Sequence, residues 1–138
     1  MDRIVGLDVG DKRIGIAVSD PMQWTAQGLE TYTRKEDDVQ KDAQYIAGII
    51  SSYQAKTVVC GFPKNMNGTV GPQAEKVKAF MEEVLKYEEA EVVYWDERLT
   101  TVSAHRTLIE ADMSRKKRKK VVDKLAAVYI LQSYLDFK

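Results

Sequence analysis

The stretch "VGLDVGDKRIGIAVSD", residues 5–20, decides the fold. Apolar runs cover residues 3–9 and 13–19, and the "GDK" between them is a connection short enough to read as a hairpin. One carboxylate, Asp8, stands inside the first run, with Gly10, Lys12 and Arg13 close behind. An acid ending a central strand is expensive unless a cation faces it, so Asp8 is a candidate functional residue. The local alternative is that Asp8 caps the turn while Gly6, Gly10 and Gly15 serve backbone geometry.

Working outward from the hairpin, a third short strand follows at Leu29–Thr33. Val39, Ala43, Ile46, Ala47 and Ile50 then recur at helical spacing, behind Glu36, Asp37 and Asp38, whose charges suit a helix N-terminus. "TVVCG", residues 57–61, is β-branched and apolar on both faces, as a strand buried mid-sheet should be. The loop "FPKNMNGTVGP" comes next, then a helical stripe of Val77, Phe80, Met81, Val84 and Leu85, then the strand candidate "EVVYW". Thr100 or Thr101 can cap a helix running to about Met113. A last helix is expected over residues 121–135, with Leu125, Val128, Gln132 and Leu135 on one side. The order β-β-β-α-β-α-β-α-α implies a mixed sheet, an antiparallel meander followed by parallel strands reached through helical crossovers.

A chain of 138 residues, 44% of them hydrophobic, is expected to form a single domain over 1–138 with one sizeable core. Twenty-one basic residues balance twenty-one acidic ones, so bulk charge does not advertise a polyanionic partner and any such signal lies in charge distribution. No charged-then-apolar leader and no apolar run near the roughly 20 residues of a membrane span are present. The expectation is a cytoplasmic protein with no membrane partner. Cys60, the single cysteine, sits in "TVVCGF" and reads as a buried small hydrophobe, in keeping with a reducing compartment. His105, the single histidine, has no paired nucleophile to suggest catalysis.

Three elements deliver acids at one end: Asp8 on the first strand, Asp96 and Glu97 on the last, and Asp123 at the start of the last helix. Strand alternation sends Asp96 and Glu97 to opposite faces, so one of them joins the cluster. Converging carboxylates repel unless a cation lies between them, and oxygen donors without a Cys/His set favour Mg²⁺ or Mn²⁺ over zinc. Two such ions about 4 Å apart clamp the attacking and leaving oxygens of a phosphodiester. Local alternatives exist: Glu97 pairing Arg98 at the surface, and Asp123 complementing a helix dipole.

"VGLDVGDKRIGIAVSD", "VVCGFPKNMNGT", "DERLTT" and "VDKLAAVYIL" together resemble the four motifs of the YqgF/RuvX family, Holliday-junction-resolvase-like nucleases also linked to ribosomal RNA maturation. The resemblance implies an α/β, ribonuclease H-like fold: a five-stranded mixed sheet of order 3-2-1-4-5 with helices on both faces. It matches Asp8, Glu97 and Asp123 to the family's three acidic, metal-binding positions, served by Mg²⁺ or Mn²⁺. Related resolvases carry an acid at the end of the fourth strand, where this sequence has Gly61 and Phe62; Glu97 stands in as the substitute. The implied activity is a metal-dependent endonuclease trimming the 5′ end of the 16S rRNA precursor. Resolution of branched DNA junctions is the alternative, and it calls for a homodimer because it needs two paired sites.

Nucleic-acid contacts are expected from Lys12, Arg13 and Arg98 at the mouth and, by the resemblance, from Lys64, Asn65 and Asn67 in the loop. They are also expected from the run Arg115, Lys116, Lys117, Arg118, Lys119 and Lys120, which immediately precedes the last helix. Structured RNA precursor and branched DNA offer the same phosphodiester to such a site. Two other classes compete: a noncatalytic nucleic-acid-binding module, which the presence of all three acids disfavours, and an actin-like nucleotide-binding fragment. "GLDVGDKRIGIA" also resembles the phosphate hairpin of those ATPases, yet they close nucleotide between two such domains.

Overall fold

The computed structural model describes residues 2–35, 37–63, 68, 70–97 and 115–138, and over 115–123 it describes the backbone only. Three strands come first: β1 (Ile4–Val9), β2 (Arg13–Ser19) and β3 (Ala26–Thr33). Helix α1 (Val39–Ser52), strand β4 (Thr57–Phe62), helix α2 (Pro72–Leu85) and strand β5 (Glu91–Asp96) follow, and helix α3 (Arg115–Phe137) comes last. The strands form one five-stranded sheet of order β3-β2-β1-β4-β5. β1 pairs antiparallel with β2, β2 antiparallel with β3, β1 parallel with β4, and β4 parallel with β5. This is the expected 3-2-1-4-5 mixed sheet, and the parallel strands β1, β4 and β5 all end at the same edge.

Helices cover both faces. On one, Val5, Leu7 and Val9 of β1 pack with Ile14, Ile16 and Val18 of β2, Val58 and Cys60 of β4, and the apolar stripes of α1 and α2. On the other, Ile4, Ala17, Val59 and Trp95 meet Ala126, Ala127, Ile130 and Leu131 of α3. Strand alternation sorts the residues between the two cores.

The α3 face is built from missing side chains. A Cβ on Gly6 would lie 2.7 Å from the Leu131 Cβ and 3.2 Å from the Ala127 carbonyl oxygen, and one on Gly28 would lie 2.9 Å from the Lys124 Cγ. The helix therefore rests on bare backbone along its middle turns. Its far end is fixed to β5, where the Trp95 indole Nε1 donates to Ser133 Oγ at 3.0 Å and the ring meets Tyr134 and Phe137 edge-on.

Two boundaries differ from those read in the sequence. β3 begins at Ala26 rather than Leu29, with a register shift opposite Ile16 and Ala17, and the Ala26 N–H donates to Gln132 Oε1 of α3. The last helix begins at Arg115, so the basic run forms its first turns instead of preceding it. Lysine and arginine are good helix formers and no Gly or Pro interrupts the segment. Asp123 is thus about two turns inside the helix, beyond the reach of the N-terminal dipole, which removes the dipole explanation for it. The helix proposed to begin at Thr100 or Thr101 lies outside the described residues.

At Gly6 the atoms facing the absent side chain are a Cβ and a backbone oxygen, neither of which can swing away. Gly6→Ala is expected to lower stability by about 3 kcal/mol, a fall in Tm on the order of 10 °C. Thermal unfolding followed by circular dichroism checks it; a shift under about 2 °C would show that α3 gives way freely.

Candidate active site at the carboxyl edge of the sheet

Asp8 lies one residue from the end of β1 and is half-buried. Alternation places it with Ile4 and Gly6 on the α3 face, directly across from Gly15 of β2. On its other side the β1–β4 register runs to Leu7 opposite Cys60, so the next residues on these adjacent strands are Asp8 and Gly61. Neighbouring strands are about 4.8 Å apart.

Glu97 approaches from β5. Gly61 pairs with Trp95 and Phe62 with Asp96, which leaves Glu97 just past the paired strand on the Trp95 face. Its side chain turns back over β4: a Cβ on Gly61 would lie 2.8 Å from Glu97 Oε1 and 3.4 Å from its Cγ. The Glu97 carboxylate therefore occupies the space above the residue beside Asp8. Asp96 belongs by alternation to the opposite face, with Tyr94 and Val92, which pack against the α1/α2 core.

Both carboxylates register on the buried Cys60 of the intervening strand β4, whose side chain faces the opposite core. Burial first, and then the Asp8 and Glu97 carboxylates, push its thiol well above the ordinary range. It is a neutral hydrophobe, neither nucleophile nor ligand. Asp123 stands on α3, which lies on this same face, three, four and seven residues before Ala126, Ala127 and Ile130. The last of these reaches to within 2.6 Å of the missing Gly61 Cβ. Among the described side chains, Glu97 lies over Gly61, the residue beside Asp8 on the adjoining strand, and no three potential metal ligands form a group. The pair presents carboxylate oxygen alone, the donor type that hard divalent cations take.

The proposed contacts divide. Lys12 is exposed in the β1–β2 turn and Arg13 opens β2. Arg115–Lys120 form the first turns of α3. Lys64, Asn65, Asn67 and Arg98 lie outside the described residues. Lys12 also lines a groove of about 790 Å³ with Arg34, Lys35, Lys76 and Phe80; neither Asp8 nor Glu97 lines it.

Sequence reasoning missed the clamp that holds this turn. Arg34, just past β3, donates from its backbone N–H to the Lys12 carbonyl at 2.9 Å, and its Nη1 donates to the Gly10 carbonyl at 2.8 Å. Its Nε donates to Asp42 Oδ2 at 3.1 Å, and its guanidinium lies 4.8 Å from the Phe80 ring centroid. Asp42 is 1% exposed and also accepts from Tyr32 Oη and the Lys35 N–H. Burial, then this carboxylate, push the Tyr32 phenol up to about 12. The protonated phenol is the favoured form, so this contribution is intact below pH 10 and fades as pH rises toward 12. The clue in the sequence was Asp42 itself, an acid at helical spacing within the apolar stripe Val39, Ile46, Ile50.

A family model described as "RuvX: Holliday junction resolvase" matches residues 2–137. A relative from Clostridium tetani, provisionally named pre-16S rRNA nuclease, is 56% identical over 134 residues, 97% of this chain and 96% of its own. Another of the same name, from Desulforamulus reducens, is 58% identical over the same shares. Among solved structures, T. thermophilus RuvC in complex with Holliday junction substrate superposes with a TM-score of 0.64 at 14% identity, covering 99% of this chain and 96% of that one. The fowlpox virus Holliday junction resolvase gives 0.56 at 16%, covering 99% of each chain. At such identities these likenesses establish the fold, the ribonuclease H-like sheet of resolvases.

Removing one member of the buried Arg34–Asp42 pair strands the other. Asp42→Ala is expected to lower stability by about 3 kcal/mol. Urea unfolding reads this as a lower midpoint at unchanged slope; an unaltered midpoint would mean that water replaces the carboxylate without loss.

Proposed function

The chain belongs to the RuvX family of resolvase-like proteins, and from that membership we propose that it is a metal-dependent endonuclease acting on the precursor of 16S ribosomal RNA. The observation that carries the reading is the placement of Glu97 over Gly61, beside Asp8, at the edge where β1, β4 and β5 end. Full-length relatives named pre-16S rRNA nucleases supply the substrate class. Junction DNA is the second reading, favoured by the description of the family itself.

Asp8, Glu97 and Asp123 are the proposed ligands of Mg²⁺ or Mn²⁺. Bound there, such a cation supplies electrostatic stabilisation for the attacking and leaving oxygens of a phosphodiester. The chain's own part is to hold the acids. Asp8 is fixed within a sheet paired on both sides, and the Arg34 clamp secures the turn that follows it. Trp95, anchored to α3, sets the strand end from which Glu97 departs.

Lys12, Arg13, Lys64, Asn65, Asn67 and Arg98 are proposed to guide the nucleic-acid strand, with Arg115–Lys120 gripping its phosphates. Six cations in the first turns of α3 meet the positive end of the helix dipole with no acid in the first turn. A phosphate backbone relieves that repulsion, and each phosphate neutralised steepens the salt dependence of binding. We place this chemistry in the cytoplasm; no described helix is long and apolar enough to cross a membrane.

Matched precursor-RNA and four-way-junction substrates, incubated with Mg²⁺ or Mn²⁺, test the activity. RNA cleavage is expected, and it should vanish in Asp8→Asn, which removes charge but little volume. Glu97→Gln should lose about a hundredfold or more and Asp96→Asn less than tenfold, given their opposite faces. Junction cleavage alone would install the second reading, and full activity of Asp8→Asn would remove the mechanism.

Changing Lys116, Lys117, Lys119 and Lys120 to Gln should weaken binding and flatten its salt dependence, as fewer counterions are released. Thermal stability should hold or rise slightly, because four like charges leave a helix N-terminus. Salt titrations of parent and variant decide it: superimposable slopes would exclude the run from the nucleic-acid interface.

A further inference from the structure

We propose that Gly61 is a positioning residue: its missing side chain is the seat on which the Glu97 carboxylate lies beside Asp8. The inference rests on the site reading above and adds a residue that bears no chemistry of its own.

The geometry is specific. Glu97 starts past the end of β5, one strand beyond β4 and two beyond β1. A glutamate rooted there reaches the Asp8 side only by lying across β4. The residue it crosses is Gly61, and the volume a Cβ would fill already holds Glu97 Oε1 at 2.8 Å and Ile130 Cδ1 at 2.6 Å. Any side chain at 61 evicts both. Each is the far end of a flexible side chain, so the backbone need not move. Eviction is therefore cheap for the fold and disruptive for the carboxylate. This separates Gly61 from Gly6, where helix backbone and Cβ atoms stand in the way and substitution attacks the fold. Ile130 walls the seat, holding Glu97 on the sheet from the side of α3.

Nothing in the strand's own geometry demands glycine. Gly61 is buried in regular pairing with Trp95, and a small apolar residue is the better strand former there. Its neighbours Val58, Val59 and Cys60 follow that preference. The glycine answers to the space above it.

Three variants of the full chain test this: Gly61→Ala, Gly61→Ala/Ile130→Val and Glu97→Gln. The readouts are Mn²⁺ binding by electron paramagnetic resonance of the free ion, Tm, and the ¹³C carboxyl resonance of Glu97, assigned by its loss in Glu97→Gln. Gly61→Ala is expected to weaken Mn²⁺ binding about tenfold or more, as loss of an orienting contact around a metal ligand does. It should shift the Glu97 resonance and move Tm by only a few degrees. The double variant deletes Ile130 Cδ1, relieving the apolar clash and securing folding even where the single variant fails to fold. It should stay equally weak in Mn²⁺ binding.

Parent-like Mn²⁺ affinity in Gly61→Ala would overturn the seat. So would recovery of affinity in the double variant, which would trace the defect to Ile130 and α3. If the parent itself binds no Mn²⁺, the metal reading falls, and the carboxyl resonance alone judges the seat: an unmoved resonance in Gly61→Ala overturns it, a shifted one upholds it.

Discussion

The depth at which α3 sits on the sheet governs this structure. The helix comes so close that a methyl group on Gly6 would meet the Leu131 Cβ at 2.7 Å, and a methyl on Gly28 would meet the stem of Lys124. Such proximity is open because Gly6 and Gly28 interrupt a face that otherwise carries Ile4, Ala17, Val59 and Trp95. Close contact multiplies the dispersion interactions of Ala126, Ala127, Ile130 and Leu131 with the strands. It also brings the backbone at Asp123 onto the face that carries Asp8 and Glu97. Packing on this side of the sheet would thus also gather the proposed ligands.

The opposite face does a different job with different means. There, large aliphatic side chains fill the space between the sheet and α1 and α2, and one buried ion pair ties the layers to the β1–β2 turn. Arg34 touches the turn, α1 and α2 at once. A hydrophobic core alone would leave the turn free to rock about the end of β1. The guanidinium, planar and many-handed, donates at once to the Gly10 carbonyl of the turn and to the Asp42 carboxylate of α1, a link no aliphatic residue could make. The turn in question is the one that follows Asp8.

Much of this was legible in the sequence because it rests on local periodicity. The hairpin around "GDK", the stripes of α1 and α2 and the apolar run of β4 all declare themselves within a few residues, and their order dictated a mixed sheet. Alternation said that only one of Asp96 and Glu97 faces α3, and the motif resemblance chose Glu97. What escaped was set by contacts distant in sequence. The role of Asp42 escaped because its partners, Tyr32 and Arg34, lie outside its own helix. Gly61 was visible as an absence, but that Glu97 fills the gap depends on a side chain 36 residues further on. The start of α3 was misplaced because a run of like charge reads as solvated loop when helix propensity is set aside.

The pairing of the first strands with the last helix has a temporal consequence. The Ala26 N–H of β3 donates to Gln132 Oε1, 106 residues later, and α3 packs across β1, β2 and β3, the earliest elements of the chain. Contacts of such separation close large loops, which slows their formation. During synthesis this face of the sheet stays uncovered until α3 leaves the ribosome, and until then the proposed ligands Asp8 and Asp123 stay apart. A growing chain therefore carries Asp8 for most of its synthesis without α3 on that face of the sheet. On the proposed ligand set, a product truncated before α3 lacks one of the three acids, Asp123.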